Sequence, residues 1–319
     1  MPVYTFDKLS EIRQSEFTVI SFLRQFGILK EQKNCHKCGT GMSFVSRRKT
    51  FVWKCKKGIC RRSSGLLAGT YFYKCRLPLR TLILLIHTWA MKFPAKDAFM
   101  FVGIPRNTAV NWYRLLQDVC SWKMLQAPIK LGGPGKVVQV DVNAIVKTKS
   151  GRKDGMTSQW VFRMYDCTEK YGFMTFVAKK DAATLLSVIT EHVLPESTVV
   201  THLASMYSGL DAIPNMNYAH LTINRSENFV DRTTGAHLNA VVGYWSRAKK
   251  FFHHMNGSLK NVAPSYLHEF MWRDRYGKNV DAAFENMFHH IREYQDSKAT
   301  ESMTPAQHNV IFFYFFTVY

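Results

Sequence analysis

The sequence has few acidic residues for its length, and they are scarcest in its first part. The 319 residues include 43 Lys and Arg but only 23 Asp and Glu, which gives a formal net charge of +20. Residues 1–130 hold 23 basic and 6 acidic residues, whereas residues 131–319 hold 20 and 17. This excess argues against an ordinary acidic cytosolic enzyme and favours a polyanionic partner, above all nucleic acid, over a generic solvated basic surface.

Long apolar runs are also missing. The longest candidate, residues 79–89, is interrupted by Arg80, Thr81 and His87. No run reaches the roughly 18 residues needed to span a bilayer. Residues 1–14 lack the apolar core of a secretory signal. We therefore expect no membrane partner.

Disulfides are not expected, because the seven cysteines are odd in number and four of them fall within residues 35–60. Cys35 and Cys38 form one close pair, and Cys55 and Cys60 form a second. Four thiolates at this spacing suit a structural, tetrahedral Zn²⁺ ion, and the alternative is four scattered buried thiols. This cysteine usage indicates a reducing compartment, and with a DNA partner we expect the nucleus.

Basic residues surround the second cysteine pair. They can stabilise thiolates and also reach phosphate groups. The residues predicted to contact DNA here are Lys54, Lys56, Lys57, Arg61 and Arg62.

Two helical patterns on either side of Gly103 predict a helix-turn-helix, over Ala95–Val102 and residues 107–123. Residues 107–116 would form the recognition helix. Its predicted groove-facing residues are Arg106, Asn107, Thr108, Asn111 and Arg114, and its predicted packing residues are Val110, Trp112, Leu115 and Leu116. Arg and Asn suit bidentate contacts to bases. A plain helical connector is the alternative.

The chain divides into four predicted segments. They are an N-terminal helix and zinc ribbon over residues 1–76, a helical DNA-binding region over 77–131, an α/β domain over 136–295 and a tail over 296–319. Residues 132–135, which are Gly-Gly-Pro-Gly, are predicted to be a linker. In the third segment the order of strand, strand, strand, helix, strand, with further helices, predicts a mixed sheet flanked by helices.

The third segment also carries an ordered set of motifs. They are residues 158–162, 221–231 and 234–237, then Trp245 with Lys249 and Lys250, and residues 266–273. Together they resemble the Merlin superfamily of DDE transposases, relatives of ISXO-like insertion-sequence enzymes. The cysteine pairs and the helix start at residues 77–80 match as well, so the resemblance covers about residues 35–295. It implies an RNase H-like fold and cut-and-paste DNA transposition.

The resemblance implies three catalytic acids that bring two divalent metal ions onto the scissile phosphate. Asp141 matches the first acid, but His202 and Val242 occupy the other two positions, and Val142 replaces a neighbouring acid. One carboxylate cannot position two hard cations such as Mg²⁺ or Mn²⁺. We therefore expect a catalytically inactive, transposase-derived protein that binds double-stranded DNA, with His202 as a hydrogen-bonded histidine at a strand end.

Other interpretations stay open. The protein could be an active transposase that uses Mg²⁺ or Mn²⁺ in a site rebuilt from Asp211, Glu227 or Asp231. It could be a decayed element copy, or a protein that dimerises with itself or with a related transposase. The apolar tail, residues 310–319, could be an edge strand, a partner contact or the product of a truncated or misread gene.

Overall fold

The computed structural model describes residues 3–47, 50–144, 160–202, 204–223, 230, 235–256 and 264–301. Ser158 and Gln159, most of the motif at residues 221–231, residue 234, and the tail from residue 302 onward lie outside this part. Glu227 and Asp231 lie outside it too.

The chain forms two compact units. One contains Met1–Lys92, Phe101–Gly103 and Val280–Tyr319, and the other contains Phe93–Met100 and Ile104–Asn279. These units group residues that lie close together in space. The four segments predicted from the sequence stay a prediction.

The first unit contains four helices: α1 (Phe6–Ile12), α2 (Glu16–Gln25), α3 (Leu79–Ala90) and α9 (Val280–Glu301). The predicted N-terminal helix corresponds to α2, which starts at a capping box of Ser15 and Thr18, and the prediction missed α1 before it. Phe22 lies in the core of this unit, with ring centroids 6.1 Å from Phe284 and 5.3 Å from Phe288.

The first unit also contains a three-stranded antiparallel sheet, which we call the cysteine sheet. Its strands are β1 (Met42–Arg47), β2 (Thr50–Cys55) and β3 (Ser63–Gly65), in the order β1-β2-β3. The rings of Phe44 and Phe51 stack at 5.2 Å between centroids. Cross-strand aromatic pairs of this kind stabilise a small sheet.

The second unit is built on a five-stranded sheet, which we call the mixed sheet. Its strands are β5 (Val137–Ala144), β6 (Trp160–Asp166), β7 (Tyr171–Val177), β9 (Thr198–His202) and β10 (Ala219–Ile223). The strand order is β10-β9-β5-β6-β7. Strands β5, β6 and β7 are antiparallel, while β9 is parallel to both β5 and β10.

Helices flank this sheet, so the predicted α/β class is confirmed. They are α6 (Ala182–His192), α7 (Asn239–Asn256) and α8 (Pro264–Tyr276). The two predicted helix-turn-helix segments are also helical, as α4 (Ala95–Val102) and α5 (Arg106–Leu125). α5 packs against α8, where Gln117 donates to Glu269 at 2.9 Å. Arg273 completes this buried group by pairing with Glu269.

The segment predicted as a linker is instead a packed turn. Strand β4 (Leu131–Gly132) pairs with β8 (Val193–Leu194), and Gly132 N donates to Asp166 at 2.8 Å. Gly132 has φ +76°, and a Cβ there would lie 2.2 Å from Ser197 Oγ. The glycine is needed for this close approach rather than for flexibility.

Candidate functional site

The four predicted metal-binding cysteines lie on two tight turns. Cys35 and Cys38 precede β1, and Gly39 follows them with φ +71° while its N donates to Cys35 O at 2.8 Å. Cys55 ends β2, and after Cys60 the chain turns again at Arg61 with φ 48°. Both pairs are thus followed by a residue in the left-handed region.

The four thiols converge on one point. The Sγ atoms of Cys35 and Cys60 are 3.7 Å apart, those of Cys38 and Cys55 are 3.5 Å apart, and all four lie within 4.8 Å of one another. A tetrahedral ion with Zn–S bonds of about 2.3 Å requires separations of about 3.8 Å. A disulfide requires about 2 Å, and all four cysteines are free thiols. The cluster could therefore hold a metal ion such as Zn²⁺.

The local environment favours thiolate at two of the cysteines. The backbone N–H of Lys37 lowers the pKa of Cys35, and the Thr40 side chain lowers the pKa of Cys38 to about 6. Burial raises the pKa of Cys55 to about 12. A bound divalent cation would favour the deprotonated form of every ligand.

The basic residues around the second cysteine pair are all exposed. These are Lys54, Lys56, Lys57, Arg61 and Arg62. They belong to a stretch with no acidic residue at all, residues 32–96, which contains 15 Lys and Arg. This composition favours a positive potential around the second cysteine pair.

The predicted recognition helix presents its polar side to solvent. Arg106, Asn107, Asn111 and Arg114 on α5 are exposed, and Asn107, Asn111 and Arg114 recur at helical spacing on one face. The opposite face buries Trp112, Leu116 and Cys120, among others. Leu115, which was predicted to pack, is instead 40% exposed.

The three positions that match the catalytic acids lie on three elements of the second unit. Asp141 is on β5, His202 ends β9 and Val242 is on α7. The β5–β9 register pairs Gln139 with Val200, and Asp141 and His202 each lie two residues further along their strands. Since side chains two residues apart share a face, both positions lie on the same side of the sheet.

Gln139 fixes the start of α7 on this face. Its Nε2 lies 3.1 Å from His237 Nδ1, and its Oε1 accepts from Val241 N at 3.0 Å. The next residue is Val242, whose aliphatic side chain is 39% exposed and offers no ligand atom.

The Asp141 carboxylate is fully engaged by donors of the protein itself. Arg163 Nη2 donates to Oδ2 at 2.5 Å, Asn143 Nδ2 donates to the same oxygen at 3.0 Å, and Val142 N donates to Oδ1 at 2.9 Å. Arg163 lies directly opposite Asp141 in the β5–β6 register. Its side chain is 1% exposed, against 7% for Asp141.

Trp245 adds a third member to this pair. The Arg163 guanidinium carbon lies 4.7 Å from the centre of a Trp245 ring, one helical turn after Val242 on α7. The cation is thus held between a carboxylate and an aromatic face, both of which stabilise positive charge. We did not predict Arg163 from the sequence. An arginine among the apolar residues of 160–164 was the available signal.

His202 forms the hydrogen bond expected of it. Its Nδ1 lies 3.0 Å from Ile223 O on the neighbouring strand β10. Because a carbonyl can only accept, Nδ1 donates this hydrogen bond. One imidazole and one ion-paired carboxylate are a poor donor set for two Mg²⁺ ions.

Among the described residues, the four cysteines are the only group of three or more Cys, His, Asp or Glu close enough to hold a metal ion. Asp211 lies in an exposed turn. No described helix is both long and apolar enough to cross a membrane.

Comparisons with known proteins point to one family. Residues 131–274 match the family described as "ISXO2-like transposase domain". A Haemophilus influenzae protein named "Uncharacterized transposase-like protein" is 32% identical over 101 residues, which is 32% of this chain and 78% of that protein. Both findings agree with the transposase resemblance seen in the sequence.

A solved structure is also similar over part of its length. It is a chain of the "CryoEM structure of simian T-cell lymphotropic virus intasome in complex with PP2A regulatory subunit B56 gamma", with 13% identity and a TM-score of 0.30. The match covers 60% of this chain and 64% of that chain, less than two thirds of its length. A likeness at this score carries no argument about fold or function.

Proposed function

Because this chain belongs to the ISXO2-like transposase family, we propose that it is a transposase-derived protein that binds double-stranded DNA but no longer cuts it. The loss of cutting rests on the Asp141–Arg163 ion pair. DNA binding rests on the basic stretch around the cysteine sheet and on the exposed polar face of α5.

The ion pair supports inactivity through charge. In two-metal phosphoryl transfer, acidic ligands must offset the charge of two divalent cations. Here the matching carboxylate, Asp141, is already neutralised by Arg163, at 2.5 Å. A metal ion at Asp141 would also be repelled by the buried guanidinium.

The strand arrangement is compatible with the ancestry. In the mixed sheet, β5, β6 and β7 form an antiparallel meander, and the parallel strands β9 and β10 follow on the side of β5. This order supports an RNase H-like assignment. In this proposal the sheet serves as a scaffold. It retains the positions of the acids without their chemistry.

The cysteine cluster supports a zinc ribbon as part of the DNA-binding region. Cys35, Cys38, Cys55 and Cys60 would hold one structural Zn²⁺ ion and so fix the two turns that carry the basic residues. Lys56, Lys57 and Arg62 are then available to phosphate groups, and Arg106 and Asn111 on α5 to base edges.

Binding to duplex DNA as a function of salt concentration tests the first half of the proposal. We expect the logarithm of the binding constant to fall linearly with the logarithm of salt concentration, with a slope of about −0.9 per phosphate contacted. Absence of binding, or binding without a salt slope, would contradict the proposal.

A strand-cleavage assay tests the second half. Duplexes made from the DNA that flanks the gene would be incubated with the protein and either Mg²⁺ or Mn²⁺, and we expect no cleavage. Cleavage that disappears in Asp141→Ala would show that the protein is an active transposase with a rebuilt metal site.

A further inference from the structure

The tip of the second cysteine turn presents an apolar side chain among cations. Ile59 is 93% exposed, more than any other large apolar side chain in the described part of the chain. Lys56 and Lys57 precede it and Arg61 and Arg62 follow, and all four are exposed. A single exposed apolar residue is common on protein surfaces, but this one lies within a stretch that has no acidic residue.

The tip is held in place at both ends. It lies between Cys55 and Cys60, and Cys60 N donates to Lys57 O at 3.0 Å. Arg61 Nε donates to Gly58 O at 3.2 Å, which closes the turn from the other side. A turn that is ordered before its ligand arrives loses less conformational entropy on binding.

The two cysteine turns differ in length. Two residues separate Cys35 from Cys38, whereas four separate Cys55 from Cys60. The longer turn places Ile59 at its exposed end, and nothing in the metal geometry requires a branched apolar side chain there. Its surroundings instead match a polyanion, because every charged residue of the turn is basic.

We propose that Ile59 enters a groove of duplex DNA while the flanking lysines and arginines contact the phosphates on either side. This rests on the proposed DNA-binding function and adds a second contact with a groove, beside that proposed for α5. Proteins that bend or wrap DNA use apolar side chains in this way, beside cations that contact the backbone.

The test compares variants of the full-length, metal-loaded chain on one short duplex, by fluorescence anisotropy across a salt series. Ile59→Ala is expected to lower affinity about tenfold, because the buried apolar area is lost. Its salt slope should stay unchanged, because no cation has been removed. The control is Val3→Ala, which shortens another exposed apolar side chain, 64% exposed, and should leave affinity unchanged.

Two further variants separate the apolar contact from the charges. Lys56→Ala with Lys57→Ala is expected to reduce the salt slope by about two units. Ile59→Lys adds a cation, so a purely electrostatic tip would bind more tightly, whereas a groove contact predicts weaker binding at high salt. Metal content measured on each variant shows that the turn is intact.

The test distinguishes failure of the groove contact from failure of the proposed DNA binding. Ile59→Ala with the affinity of the unsubstituted chain, or Ile59→Lys with tighter binding at high salt, would overturn the groove contact and leave DNA binding in place. The first result would indicate a protein partner for Ile59. No duplex binding by the unsubstituted chain would overturn the proposed function and this inference together.

Discussion

Asp141 and Arg163 face each other across neighbouring antiparallel strands, and both side chains are buried. Taking two charges out of water is costly, and their attraction offsets this cost only when geometry and further hydrogen bonds are good. Asn143 and the Val142 backbone supply those bonds to Asp141, and Trp245 lies against Arg163. Removing one partner therefore leaves an uncompensated charge in the interior.

Arg163→Met is expected to lower the free energy of unfolding by about 3–5 kcal/mol, because it leaves the Asp141 carboxylate buried without its cation. Urea unfolding measures this. The control is Lys8→Met, which removes an exposed pair with Glu11 at 3.1 Å and should cost at most about 1 kcal/mol.

A double-mutant cycle compares Asp141→Asn, Arg163→Met and the double variant that carries both substitutions. We expect the double variant to be more stable than the sum of the two single losses implies, because neither charge then remains alone. A loss of less than about 1 kcal/mol for Arg163→Met alone would show that the pair does not hold Asp141 in the manner described.

His87 gives the first unit a dependence on pH. It is 8% exposed, its ring lies 5.2 Å from that of Phe284, and burial lowers its pKa while the Asp281 charge acts in the opposite direction and Arg13 adds to the lowering. The unfolded chain therefore binds the proton more readily than the folded one. Stability is complete above the unfolded pKa of about 6.5 and falls as the pH drops below it.

We expect His87→Phe to flatten this dependence. Between pH 7 and pH 5 the unsubstituted protein should lose more unfolding free energy than the variant, by at most about 1.4 kcal/mol per pH unit. Urea unfolding at a series of pH values measures both. Parallel curves would mean that His87 titrates alike in the two states, and the other buried histidines would then account for the slope.

The cysteine sheet has a small buried core of its own. Its core contains Cys35, Met42, Trp53 and Cys55, so half of the buried residues are predicted metal ligands. A structural metal ion commonly supplies the stability that so small a core cannot.

Chelation is therefore expected to unfold the cysteine sheet. The purified protein should contain one zinc ion per chain, and Cys55→Ser should lower that content, as measured by atomic absorption. Cys75→Ser is the control, because this thiol lies outside the cluster and the variant should keep its zinc. Full zinc content in Cys55→Ser would contradict the assignment.

The exposed face of α5 supports a second prediction at this scale. Arg106→Ala should weaken duplex binding and relax its base preference, because this side chain is proposed to contact base edges. Arg114→Ala should weaken binding and reduce the salt slope by about one unit if it contacts a phosphate. Lys179→Ala removes an exposed cation from the nearly neutral part of the chain and should leave the slope unchanged. Equal effects of all three variants would indicate binding by net charge alone.

Elements with strong local signals were predicted closely. α4 has the predicted bounds, because Pro94 and Gly103 delimit it. The turn at Gly132 was misread as a linker, because its role depends on Ser197, which lies far away in the sequence. Local patterns cannot show such an approach.

At the scale of the whole molecule, local sequence patterns also fail to show what surrounds the site on the mixed sheet. The sequence resemblance identified Asp141, His202 and Val242, but it could not show what surrounds Asp141. That depends on the antiparallel register between β5 and β6, which are separated by residues 145–159, and on Trp245 of α7. The fold thus adds Arg163 to His202 and Val242 as a residue that supports the proposed loss of the metal site.

The Asp141–Arg163 ion pair changes which substitutions are needed to restore a metal site. His202→Asp with Val242→Glu returns carboxylates to both lost positions, yet Asp141 stays neutralised by Arg163 in that variant. We expect no Mn²⁺ binding beyond that of the unsubstituted chain, measured by isothermal titration calorimetry on the zinc-loaded protein. Adding Arg163→Met to these two substitutions should produce binding, because three carboxylates then face one another without a competing cation.

The triple variant should also be stabilised by Mn²⁺, since an ion that binds only the folded state raises the free energy of unfolding. Arg163→Met alone should gain no such stabilisation, because one carboxylate and one imidazole remain a weak site for a hard cation. Mn²⁺ binding by the double variant with Arg163 still present would show that the guanidinium moves aside. The proposed loss of catalysis would then rest on His202 and Val242 alone.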